Sequence, residues 1–194
     1  YFIGVCLNNL GDFDGAIKSF IAVLDADPAN LPARLKLGIA LHNYKMWDKA
    51  IALYKNILKA NPKYADIHYN LGLSYLGQGK IDEAISSFED ALEINANYLQ
   101  AKVKIAISNI FQGRLENALD SLLVLSENYP NYADIHYYLG IVYSAKNEIE
   151  NALESFRRAI KINPAYKDAR IKLATLYCYF ERIEEGIKEL EEVK

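Results

Sequence analysis

Residues 64–97 read YADIHYNLGLSYLGQGKIDEAISSFEDALEINAN, and residues 132–165 read YADIHYYLGIVYSAKNEIENALESFRRAIKINPA. The two stretches share their first six residues and stay in register to the end, so internal repetition is the first property to read in this chain. Each holds two apolar-periodic segments. The first carries Ile67, Leu71 and Tyr75, or Ile135, Leu139 and Tyr143, spaced to fall on one helix face. A short break follows, marked by Gly79 or Asn147. The second segment opens with an acid, Asp82 or Glu150, which suits the positive end of a helix dipole.

Outward from these two copies the same frame covers the chain. Gly4, Gly38, Gly72, Ala106, Gly140 and Ala174 stand 34 residues apart. So do Ala16, Ala50, Ala84, Ala118, Ala152 and Gly186, and so do Phe20, Tyr54, Phe88, Leu122, Phe156 and Leu190. Pro28, Pro62, Ala96, Pro130 and Pro164 form a fourth series, expected to stop one unit and suit the first turn of the next. The opening acids form a fifth: Asp14, Asp48, Asp82, Glu116, Glu150 and Glu184. The breaks are marked by Gly11, Gly79 and Gly113, or by Asn147 and Glu181. No insertion interrupts any register. Two helices of a hairpin approach closely only where side chains are nearly absent, and the large column fills the space beside them. A single hairpin cannot bury its apolar faces alone, so the units must stack.

The runs Leu37-Gly38 through Ala50, Tyr54 and Pro62, then Leu71-Gly72, Tyr75, Ala84, Phe88 and Ala91, then Leu139-Gly140, Tyr143, Ala152, Phe156, Ala159 and Pro164, resemble the tetratricopeptide repeat. The resemblance covers the whole chain. It implies an all-α, right-handed superhelical solenoid of about six antiparallel helix hairpins, read as a single array over 1–194. In that frame the first unit begins partway through a helix and the last stops short, the expectation for part of a longer protein. Ala96 stands where proline is usual, and Asn109 where an aromatic is common, an exchange expected to soften the fourth unit. The RNA-reading 35-residue repeats fit less well, lacking this alanine–aromatic–proline spacing.

Composition narrows the function classes. With 22 Lys and Arg against 25 Asp and Glu, the formal charge is -3, which argues against the basic face of a nucleic-acid binder. No apolar stretch is long enough to span a membrane. Cys6 and Cys178, near opposite ends, are expected to be free thiols acting as small packing residues, consistent with a cytoplasmic setting. His68 and His136 stand two hairpins apart, too far to share a metal, and His42 does not complete a ligand set. Acidic pairs such as Glu184-Glu185 read as a solvated helix face. No phosphate loop, nucleophile elbow or zinc cluster is present, so neither a cofactor nor an enzymatic activity is expected.

The resemblance implies that first helices line a concave surface that holds a protein or peptide. Carried over by position, that surface comprises Lys36, Asp66, Tyr69, Asn70, Leu73, Val103, Lys104, Ile107, Asp134, Tyr137, Tyr138, Ile141 and Lys172. Such aromatic and apolar content suits a contact surface, with Tyr69, Tyr137 and Tyr138 as anchors. Lys36, Lys104 and Lys172 recur in every second unit, either as a ladder for acidic groups or as partners of Asp66, Asp134 and Asp168. The carboxylate clamp for chaperone tails is disfavoured, because its positions hold Tyr69, Leu73, Val103 and Ile107. The expected function is an interaction scaffold. One alternative is the substrate-presenting region of a larger enzyme such as a glycosyltransferase, whose asparagine ladder is matched here only by Asn70. Another is a homo-oligomer stacking end to end. Replacing Tyr137 and Tyr138 by alanine is expected to weaken binding with helix content unchanged.

Overall fold

A computed structural model describes residues 1–193. Among them are twelve helices and no strand: α1 (Phe2–Asn9), α2 (Phe13–Ala26), α3 (Leu31–Asn43), α4 (Trp47–Ala60), α5 (Ala65–Gly77), α6 (Ile81–Ile94), α7 (Leu99–Phe111), α8 (Leu115–Asn128), α9 (Ala133–Ala145), α10 (Ile149–Ile162), α11 (Lys167–Tyr179) and α12 (Ile183–Glu191). Odd-numbered helices are the first of each hairpin. Two compact units are formed by residues 1–102 and 103–194, with the division inside α7. In the first unit each of α1 to α5 packs on its successor; in the second, each of α8 to α11 does the same.

The short break inside each hairpin is a left-handed residue. Gly11, Gly79 and Gly113 have φ of 84°, 75° and 71°, and Lys45, Asn147 and Glu181 have φ of 62°, 61° and 59°. The six stand 34 residues apart, so the turn is one recurring conformation. Glycine meets it without steric cost, whereas the three others carry a Cβ into a region costly for L residues. Lys45 gives no sign of this in its residue type.

The proline column does something other than start the next helix. α2 ends at Ala26 and α3 begins at Leu31, so Pro28 lies in the connecting turn; Pro32 is the proline in a helix's first turn. Each proline forces its predecessor out of helical conformation. Asp27, Asn61, Tyr129 and Asn163 accordingly have φ between -141° and -127°. Asn95 adopts φ -133° and ψ 90° before Ala96, so the turn keeps its shape where proline is absent.

The small-residue column is explained by the rings opposite. A Cβ built on Gly38 would lie 2.5 Å from the Tyr54 ring, on Gly72 2.6 Å from Phe88, and on Gly140 2.6 Å from Phe156. These rings are almost fully buried, so they cannot swing aside. Where the large position holds Leu122 or Leu190, the small one holds Ala106 or Ala174. In the second unit Phe156 joins Ala152, Leu153, Leu173 and Tyr177 in one core cluster, flanked by Tyr137 and Ile141. Burying one such side chain contributes about 1.5–3 kcal/mol.

The acids that open second helices sit in the first turns of α2, α4, α6, α8, α10 and α12. Some have a further task. The Gln78 amide donates to Asp48, and Lys146 Nζ donates to both Glu116 oxygens at 2.7 and 2.8 Å. Each tie joins the start of a second helix to the end of the next hairpin's first helix.

Candidate functional site: the first-helix faces

In the first unit the expected surface is built on α3 and α5. Lys36, Tyr69, Asn70 and Leu73 are half-buried and Asp66 is exposed. The Tyr69 ring lies 5.6 Å from Phe88 and 5.1 Å from Tyr98, so it rests on the core and stays half-buried. Tyr98, in the turn before α7, donates its hydroxyl to Asp66 Oδ1 at 2.8 Å. The Asn70 amide turns back to the Asp66 carbonyl at 2.7 Å.

The second unit repeats the device on α9. Tyr137 lies 5.1 Å from Tyr166, 5.1 Å from Tyr138 and 5.9 Å from Phe156. Tyr166 bonds to Asp134, the counterpart of the Tyr98–Asp66 pair. Tyr138, Ile141 and Asp134 are half-buried. Burial is the first cause that raises the phenols of Tyr98, Tyr166, Tyr137 and Tyr138 above their usual value, and the nearby carboxylates push further the same way. All four therefore remain neutral hydrogen-bond donors at physiological pH.

Tyr98 and Tyr166 were absent from the sequence expectation, although the signal was present: Tyr64, Tyr98, Tyr132 and Tyr166 stand at the repeat interval, just before successive first helices. Their reach decides how the carboxylates are used. Asp66 and Asp134 accept from phenols of the following turn, and Lys36, Lys104 and Lys172 have no ion pair among the described residues. The lysine–aspartate pairing offered as an alternative is thus replaced by tyrosine–aspartate pairing. Lys36 and Lys104 are half-buried, and Lys172 is exposed.

Val103 and Ile107 depart from the rest. Each is only 6% exposed, so both belong to the packed interior and leave little surface for a ligand. Tyr137 is also more structural than its place among the anchors implied, since it packs on the Phe156 cluster. Replacing Tyr137 and Tyr138 together by alanine therefore removes core packing along with any contact surface.

The histidines have structural partners. His68 Nε2 donates to the Pro62 carbonyl at 2.9 Å and His136 Nε2 to that of Pro130 at 3.0 Å. Arg170 Nε holds Pro164 in the same way at 3.2 Å. No three His, Cys, Asp or Glu side chains among the described residues form a metal-ligating group. Cys6 and Cys178 are free, as expected, but exposed instead of packed inside. No helix among the described residues is long and apolar enough to cross a membrane.

Tetratricopeptide repeat models match residues 9–71 and 75–140, residues 46–98, and residues 133–166. The chain belongs to the tetratricopeptide repeat family. Solved tetratricopeptide structures resemble it along most of its length. The crystal structure of MamA shares 25% identity, with 81% of this chain and 92% of that one aligned and a TM-score of 0.68. TTC0263, a thermophilic TPR protein of Thermus thermophilus, shares 22%, with coverage of 90% and 95% and a TM-score of 0.74. YrrB, described as a TPR protein with an unusual peptide-binding site, shares 19%, with 92% of each chain covered and a TM-score of 0.64. No curated protein matches the chain by sequence. As a tetratricopeptide array, the hairpins described above have the architecture in which first helices present a repeated side-chain pattern.

Proposed function

We propose that this chain is a protein-interaction scaffold that holds a peptide segment of a partner against its first-helix faces. The observation that carries the reading is the combination found in both units. Aromatic and apolar side chains stand half-exposed on the first helices, held by tyrosine–aspartate pairs, beside lysines with no ion pair. Rigid aromatic edges supply contact area at low entropic cost, and a lysine without a counter-ion supplies electrostatic selection. The partner segment is apolar with interspersed carboxylates. The peptide-binding site for which YrrB is described supports the class of ligand.

The test uses Tyr138→Ala with Lys172→Ala, which spares the Tyr137 packing on Phe156. Immobilised wild type and variant are exposed to lysate of the source cells, and the eluates are compared by mass spectrometry beside thermal melts. A protein retained by wild type and lost from an equally stable variant supports the reading. Matching eluates would remove the first-helix faces from consideration.

A further inference from the structure

The second unit contains a cleft of about 200 Å³ lined by Ile149, Leu153, Leu176, Tyr177 and Phe180, with Glu150 and Arg182 at its polar edge. None of these residues belongs to the first-helix pattern argued above. Comparison with the equivalent place in the first unit, three repeats earlier, explains why the cleft is open. There Trp47 stands where Ile149 stands here, and its indole lies against Gly77, within 2.5 Å of where a Cβ would be. Gln78 stands where Phe180 does and donates to Asp48, the counterpart of Glu150. In the second unit Lys146 gives the same tie to Glu116. Phe180 has no donor to give. Among the described residues Glu150 has no hydrogen bond or ion pair.

Charges of both signs surround the cleft, and Arg157, on the far side of Tyr177, donates to its hydroxyl at 2.7 and 3.1 Å. Arg182 lies 4.6 Å over the Tyr177 ring and is gripped by both Glu185 oxygens. Its charge is matched, while that of Glu150 is not. An apolar recess with aromatic faces and one unpaired carboxylate at its rim is complementary to a cation on an aliphatic stem. We propose that this cleft receives a lysine side chain of a partner protein, with the methylenes against Leu153, Leu176 and Phe180 and the ammonium on Glu150. The partner's ammonium takes the place that Gln78 and Lys146 occupy within the chain at the two ties described above.

The test is a titration of the full chain followed through the methyl resonances of Ile149, Leu153 and Leu176. The probes are pentylammonium, pentanol, pentanoate and the tripeptide acetyl-Gly-Lys-Gly-amide. Pentylammonium and the tripeptide should give saturable shifts, with pentanol about three- to tenfold weaker and pentanoate weakest. Glu150→Gln should bring pentylammonium down to the level of pentanol. Phe180→Gln, which supplies the donor that Gln78 supplies to Asp48, should close the site without loss of thermal stability. Equal binding of pentanol and pentylammonium, tightest binding of pentanoate, undiminished binding by the Phe180→Gln variant, or no shift with any probe would each overturn the proposal. Binding of pentylammonium without the tripeptide would overturn the assignment to a protein side chain.

Discussion

The ring of Phe156 occupies the space that a side chain on residue 140 would need, and that dependence is testable one residue at a time. Gly140→Ala should cost about 1–2 kcal/mol, the overpacking penalty outweighing a helix-propensity gain of about 1 kcal/mol. Adding Phe156→Leu reproduces the Ala106 and Leu122 combination already present in this chain. A double-mutant cycle in urea should therefore show coupling of about 1 kcal/mol or more, with the double variant more stable than the sum of its parts. Tyr54 gives the opposite lesson. Its side chain is fully buried with no hydrogen-bond partner for the hydroxyl among the described residues, in a column where Phe20, Phe88 and Phe156 have none to satisfy. Tyr54→Phe should stabilise the protein by about 1 kcal/mol, read from the urea midpoint at constant slope. At this scale the packing columns were legible, because a ring and a missing side chain leave complementary marks at one interval. The left-handed Lys45 was not, since nothing in lysine announces a positive φ.

Between elements, α3 and α5 are joined through His42. Its Nδ1 lies 3.2 Å from Ser74 Oγ, and that hydroxyl donates its own proton to the Asn70 carbonyl at 2.9 Å. The network therefore assigns the imidazole proton to Nδ1 and leaves Nε2 bare in a half-buried setting. Burial lowers the pKa of His42 below its usual 6.5. The unfolded chain then binds a proton more readily than the folded one, so this stabilisation is complete above pH 6.5 and is lost as pH falls from there towards the folded-state pKa. His42→Asn, which retains a donor for Ser74, should flatten that part of the stability profile. Urea titrations at pH 7 and pH 5 would show it as a smaller loss in the variant. Helices and hairpin partners were readable from periodicity alone. The tyrosine–aspartate brackets and the acid ties were not, because each joins residues some 30 positions apart and depends on how far one turn reaches across its neighbour.

For the molecule as a whole, repeated units confine the consequences of damage. Stability in such an array is close to a sum of unit and nearest-neighbour contributions, so the Gly140→Ala lesion should be felt locally. Hydrogen exchange should speed up more in α9 and α10 than in α3 and α4; uniform acceleration would indicate one global cooperative transition instead. The candidate contact surface was legible only in part at this scale. Position within the repeat led to Tyr69, Asn70 and Tyr138, while burial withdrew Val103 and Ile107, because repeat position does not report how neighbouring side chains fill the space. The tyrosine–aspartate bracket occurs at Asp66 and Asp134, two hairpins apart, with Gln100 between them and Asp168 following at the same position. The two YADIHY copies, 68 residues apart, make a pair of hairpins the longer repeat in this sequence. Recombination between the two YADIHY copies would lengthen or shorten the gene by one such pair, splitting no bracket and keeping lysine alternating with Asn70 or Tyr138 along the column. Gain or loss of a single hairpin would instead bring two like faces together and disturb that alternation, so relatives arising by slippage should differ in length by even numbers of repeats.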